Sequence, residues 1–270
     1  MSFATFSKRN RAFFKLAMLS NLEYRLNFFV DAIVQPSLSC IVEIVLWSSI
    51  FASSGLTTIG GFTKDYYIAY ALWATFIARI SSSWMYEFRM TQEIESGTIN
   101  GLLVRPMSFY EYYLSQLMGY KFITTVISLI IPVCVYFFYK FPFHWERLPI
   151  AMFVVFYYLI LVHSLSFLIS CFSFFLNRVH GLTVAKNFCL WLLSGELFPL
   201  DIVPEPYKSI MIHLPFSSAV YVPTGYLTGR IGFEAVTNGL ISITVGIFVV
   251  NIIGYFFWRS GLKAYVGTGA

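Results

Sequence analysis

The residues of this chain that could do chemistry are few and scattered. The four histidines, His144, His163, His180 and His213, have no metal-ligand spacing such as H-E-x-x-H. The four cysteines, Cys40, Cys134, Cys171 and Cys189, lie in apolar runs with no C-x-x-C pair. They read as small buried apolar residues rather than as a metal site or a disulfide framework. His163 precedes Ser164, a pair that would suit nucleophilic catalysis if the two side chains met. Neighbours on a helix point about 100° apart, so no hydrogen-bonded dyad follows. His163 reads instead as a polar residue facing a helix interface or a cavity. Asp201 and Glu205 are loosely spaced carboxylates among prolines and read as a solvated turn. No phosphate loop of the form G-x-x-x-x-G-K-[ST] is present, since "GYLTGR" (225–230) has neither the lysine nor the strand-to-helix context. The chain therefore reads as a non-enzyme, with catalytic, cofactor-binding and metal residues all none.

The elements that must position these residues are apolar. Of 270 residues, 58% are hydrophobic and only 11% charged, against about 25% charged in an ordinary soluble domain. The reading is an all-α integral membrane protein of six transmembrane helices. Residues 3–20 form an amphipathic helix, with Phe3, Phe6, Phe13, Phe14 and Ala17 on one face and Lys8, Arg11 and Lys15 on the other. That pattern suits a helix lying in the membrane interface. Apolar segments then run over 26–51, 66–84, 113–139, 149–175, 187–200 and 235–258. The fifth is short: about 14 residues reach roughly 21 Å, less than a ~30 Å hydrocarbon core. Pro204, Pro206, Pro215 and Pro223 break the apolar stretch after it, which predicts short re-entrant helices over 199–230 between spans five and six. The domain organisation is thus 1–25 interfacial, 26–258 membrane and 259–270 tail. No cleavable signal peptide is expected. Basic residues favour an orientation with both termini in the cytoplasm, where the net charge of +5 encodes topology rather than nucleic-acid binding.

Ionisable groups within a span cost roughly 2.5–3.5 kcal/mol each on insertion scales and tend to be paired or functional. Asp31 and Arg79 fall at depths that could match, as an ion pair between the first two spans. Glu43 has no obvious partner and is a candidate to face a translocation path, or it snorkels or bonds to a neighbouring helix. Trp191 and Phe198, with His163, are further path candidates; the aromatic residues of this region equally suit an interfacial belt.

One polar stretch stands apart, "EIESGTINGLLVRPMSFYE" (93–111). The helix of the second span continues through "SSSWMYEFRMTQEIES" and meets Gly97, a left-handed helix stop. Arg105-Pro106 is a breaker. Ser108 and Glu111 have the spacing of a capping box that starts the next helix. The segment is two helix ends joined by a compact elbow (85–111).

"EIESGTINGLLVRP" followed by an aromatic helix start resembles the first cytoplasmic loop of type-2 ABC transporter permeases, in the bacterial branch with one ATPase and two different permeases. "LEYRLNFFVD", "LSGELFPLDIVPEPYKSIMIHLPFSSAVYVPTGYLTGR" and "FFWRSGLKAYVGTGA" resemble other parts of that family, in the same order. The resemblance implies a permease subunit of an ATP-driven exporter in the bacterial plasma (inner) membrane, multi-pass, with ABC ATPase subunits and a second permease as partners, non-identical or a homodimer. ATP and Mg²⁺ would bind the ATPase, none this chain, and the lipid bilayer but no nucleic acid would contact it. The ATPase-coupling residues would be Gln92, Glu93, Ile94, Glu95, Gly97, Thr98, Ile99, Leu102, Leu103, Arg105 and Pro106. The interfacial helix would contribute Phe6, Lys8, Arg11 and Lys15. Competing readings are an ATP-independent secondary transporter or channel, and a non-transporting anchor subunit.

Overall fold

The computed structural model describes residues 11–19, 26, 29–105, 107–139, 143–176 and 178–265. Phe6, Lys8 and Pro106 lie outside them. Residues 11–19 are helical. The helices that follow are α1 (Val30–Ser54), α2 (Lys64–Ser81), α3 (Trp84–Glu95), α4 (Asn100–Leu103), α5 (Phe109–Ser128), α6 (Ile130–Tyr139), α7 (Leu148–Cys171), α8 (His180–Leu193), α9 (Tyr207–His213), α10 (Tyr221–Leu227) and α11 (Phe233–Ala264).

Among the described residues, four stretches are long and apolar enough to cross a membrane: Val30–Ser54, Phe109–Phe137, Trp145–Phe174 and Phe233–Ala264. The other two expected spans are shorter or more polar. α2 has 18 residues and carries Lys64, Asp65 and Arg79. α8 has 14 residues and begins at His180, seven before the apolar run that announced it. From Tyr67 to Ser81, only Ile68 and Arg79 of α2 escape burial. α2 is the centre of the bundle, packed on α1 and α7, and small residues such as Ala69, Ala71, Ala74 and Ala78 permit that approach. α11 lies along α7 at Gly246 and Gly254, where an added Cβ would meet Leu161 and Phe167, and it closes on Ser218 and Phe174 at Gly239 and Gly261.

Two local expectations are corrected. The second segment is not one continuous helix: Ser82 is extended (φ −83°, ψ 147°) and separates α2 from α3. The third is interrupted at Leu129, near Pro132, which has no amide to donate to the carbonyl four residues back. The helical chain also contains a small antiparallel hairpin, β1 (Thr58–Ile59) with β2 (Phe62–Thr63). Gly60 and Gly61 occupy its turn at φ +56° and +85°, the two positive values that a two-residue turn of this kind requires.

Residues 11–19 pack on α5. Ala17 is buried, and a Cβ on Gly119 would strike the Phe14 backbone at 2.7 Å. Phe13 meets the Tyr112 ring edge-on at 5.6 Å. Arg11 and Lys15 remain exposed.

The proline-broken stretch folds into short turns and helices at the hairpin end of the bundle, organised by Asp201. This residue is no solvated turn carboxylate: its side chain is 2% exposed. Its Oδ1 accepts from Tyr221 Oη (3.1 Å), Lys208 Nζ (3.3 Å) and Arg230 Nη2 (3.1 Å), and its Oδ2 from Tyr66 Oη (3.5 Å). Arg230 also lies over the Phe62 ring of the hairpin. Glu205, by contrast, is exposed. Asp201→Ala should destabilise this end by about 1–3 kcal/mol, discounted because Lys208 and Arg230 can rehydrate. Hydrogen exchange over 199–230 should accelerate while α11 is unchanged; equal protection in both chains would show that Asp201 does not organise the region.

Candidate functional site

Three features share the half of the bundle around α2 and α3: a locked joint, an elbow and a cavity.

The joint is the Ser82–Ser83 break. Ending α2 in the core leaves carbonyls without helical partners, which must be met by side chains. Ser81 Oγ donates to Ala78 O at 3.2 Å and Ser82 Oγ to Arg79 O at 3.3 Å. Lys121 of α5, 4% exposed, donates to Arg79 O at 2.6 Å and to Ser82 Oγ at 3.2 Å. The buried Lys121 amine thus caps the C-terminal end of α2, where the helix dipole favours a donor. The Arg79 guanidinium is ion-paired with Asp31 of α1. On the α3 side, Glu87 is fully buried and ion-paired with Lys186 of α8. Ser166 of α7 donates to Glu87 Oε2 at 2.8 Å and meets Ser83 Oγ at 3.0 Å. Side chains from α1, α5, α7 and α8 therefore converge on one break in the chain.

α3 leads from the joint to the elbow. Gly97 sits at φ +75°, ending the helix as its position suggests. The Ile99 amide then donates to Glu93 O at 3.0 Å and the Leu102 amide to Ile99 O at 2.8 Å. Ser108 and Glu111 form the reciprocal capping box that begins α5. The underside of the elbow, Ile94, Ile99 and Leu102, is buried in the core. Its outer face presents Gln92, Glu95, Thr98 and Arg105 with two apolar residues, Leu103 and Val104, the latter 85% exposed. Two contacts brace it from outside the segment. Glu95 Oε1 accepts from the Val179 amide at 3.3 Å, just before α8. Tyr265 Oη donates to Gly97 O at 3.3 Å, just beyond α11.

The cavity, of 650 Å³, lies between α1, α2, α7 and α8. Of the path candidates named from sequence, Glu43 and Trp191 line it. His163 does not: it is fully buried, with Nε2 3.0 Å from Tyr110 O. Its neighbour Ser164 turns to Tyr110 Oη and Asn251 Nδ2, each at 2.9 Å, so the two side chains serve different contacts. Phe198 packs with Trp47, Phe51, Tyr67 and Ala71 near the hairpin.

Sequence reasoning did not single out Glu87, Lys121, Lys186, Glu196 or Val104. Lys121 offered a signal, a lysine inside an apolar run. Lys186 reads as an ordinary basic flank because its partner is 99 residues away.

The sequence model for the ABC-2 family transporter proteins matches residues 38–269. No curated protein matches the chain at a significant level.

Proposed function

We propose that this chain, which belongs to the ABC-2 family of transporter proteins, is the permease subunit of an ATP-driven exporter. Family membership makes it an embedded, multi-pass transport component that works with an ATPase. The finer reading adds six spans, in which α2 and the 14-residue α8 complete the four longer helices. It also adds cytoplasmic termini, a bacterial plasma membrane, re-entrant helices over 199–230 and a second permease, non-identical or a second copy. ATP and Mg²⁺ bind the ATPase, and this chain contributes no catalytic group.

The observation that carries the reading is the braced elbow. A flexible loop would absorb a partner's motion. Here Gly97 is held from α11 through Tyr265 and Glu95 from the start of α8, so displacement of the elbow reaches several helices together. The exposed Leu103 and Val104 supply apolar contact for a groove on the ATPase, and the polar residues around them supply a rim. ATP binding draws the ATPase subunits together, the elbow moves with them, and the cavity beside α2 changes its access. Substrate enters from the cytoplasm or the inner leaflet and leaves outward.

The test is co-purification from membranes in mild detergent, followed by labelling of single cysteines at Thr98, Leu103 and Val104. An ATPase should co-purify and should slow labelling at all three positions by about tenfold or more, as expected for a buried interface. No bound ATPase, or labelling unaffected by it, would overturn the subunit reading.

A further inference from the structure

At the end of the bundle that carries the elbow, the last turns of α11 and the turn that follows α7 form an open groove of 680 Å³. Phe175 lines one side, and Tyr255, Phe256, Arg259 and Lys263 line the other. The rings of Phe172 and Phe175 pack on Phe257, at 4.9 and 6.4 Å between centroids, and hold the two helix ends side by side. Arg259 and Lys263, one turn apart, are exposed and form no ion pair among the described residues. No carboxylate lines the groove. Arg259 Cζ lies 5.0 Å from the centroid of the Tyr255 ring, a cation–π contact that keeps the guanidinium over the groove. The helix terminus does not account for both cations: Lys263 is in the last turn of α11, where the dipole favours it, but Arg259 precedes that turn. A second observation is independent of the charges. Val245, Val249, Ile252 and Phe256 are exposed and recur at steps of three or four. The same spacing continues through Arg259 to Lys263, so all six share one face of α11. Positions 235–258 hold no charged residue and reach roughly 36 Å, against a hydrocarbon core of ~30 Å. The face is thus apolar across the span and cationic at headgroup level.

We infer that this groove binds an anionic phospholipid, with its phosphate between Arg259 and Lys263 and an acyl chain along the apolar face of α11. The inference goes beyond the exporter reading and needs only that the chain is embedded. Any bilayer lipid can cover the apolar stripe; the two cations select the headgroup. A guanidinium presents paired N–H groups that match two oxygens of one phosphate, and the lysine adds a point charge. Basic pockets at the ends of transmembrane helices suit anionic headgroups for this reason. A zwitterionic lipid brings its own cation to the same place and is attracted less. An acidic protein surface or a free phosphate would answer the charges but would leave the stripe within the span unmatched.

The test is photolabelling of the full chain, with any ATPase that co-purifies, in phosphatidylethanolamine nanodiscs. Two probe lipids carry the same diazirine-bearing acyl chain, one on phosphatidylglycerol and one on phosphatidylcholine, and labelled peptides are mapped by mass spectrometry. The glycerol lipid should label 245–263 about tenfold or more over the choline lipid, while peptides from α1 take up both alike. Arg259→Gln and Lys263→Gln should each cut that preference by about fivefold, and the double variant should abolish it. Choline-lipid labelling should stay unchanged, which reports that the variants are folded. Unlabelled phosphatidylglycerol should compete, and soluble glycerol phosphate should not. Equal labelling of 245–263 by the two probes, or a preference that survives the double variant, overturns the inference. Competition by glycerol phosphate would show a site for free phosphate groups and overturns it too. Labelling of α1 but not of 245–263 by either lipid would show a protein covering this face, which also overturns it. None of these results depends on an ATPase being present, so the exporter reading stands or falls separately.

Discussion

Lys186→Met should lower the folding stability of this protein by about 3–5 kcal/mol, because it strands the buried Glu87 carboxylate without a counter-charge. Glu87 is fully buried and Lys186 is 10% exposed in side-chain terms, so neither can turn to water without opening the joint. Ser166 would remain as the donor to Glu87 Oε2, and one hydroxyl is a poor substitute for an ammonium. Thermal unfolding in detergent should show a markedly lower midpoint. The double variant Glu87→Gln/Lys186→Met removes both charges and should recover more than half of the loss, since a missing pair costs less than a broken one. If the single variant unfolds at the same temperature as the original chain, the pair does not hold α3 to α8.

The second large effect concerns coupling rather than stability. Gly97 adopts φ +75°, a conformation that costs an L-residue about 1–2 kcal/mol and a β-branched one more. Gly97→Val should therefore rebuild the elbow and break its bond from Tyr265. Under the proposed subunit role, transport per ATP hydrolysed should fall by about tenfold, the factor that ~1.4 kcal/mol represents, while membrane insertion and ATPase binding persist. Gly101→Ala is the matched control. Gly101 is not in the left-handed region, and an added Cβ there meets nothing within 4 Å, so coupling should be unchanged. Equal coupling in Gly97→Val and the original chain would remove the elbow from the pathway of motion.

Much of this architecture is readable from residue order because it rests on local rules. Gly97 as a helix stop and Ser108 with Glu111 as a capping box each need only a few adjacent residues, and both motifs occur as geometry. The apolar runs that give, among the described residues, four helices long enough to cross a membrane are equally local. The break between α2 and α3 is not. Ser82 and Ser83 tolerate a helix, and the groups that stabilise the interruption, Lys121, Ser166 and Lys186, come from three distant helices. Asp201 was misread for the same reason: its partners Tyr66, Tyr221 and Arg230 are not its sequence neighbours. The hairpin was legible from its Gly60-Gly61 turn but is easily passed over in a chain so rich in helix. At the candidate site, composition can find a charge in an oily run. It cannot say whether that charge faces a partner, as Asp31 does, or a cavity, as Glu43 does.

The joint at Ser82–Ser83 also has a mechanical consequence. Under the proposed subunit role, α3 and α2, braced by Lys121 on one side and Glu87–Lys186 on the other, would act as the two arms of a lever pivoted inside the bundle. Their 12 and 18 residues make arms of about 18 and 27 Å, so the leverage is about 1.5. Under the same reading, a stroke at Gly97 would reach Thr63, at the far end of α2, enlarged by that factor. Loosening the pivot wastes that stroke as play, so Lys186→Met should cost throw as well as stability.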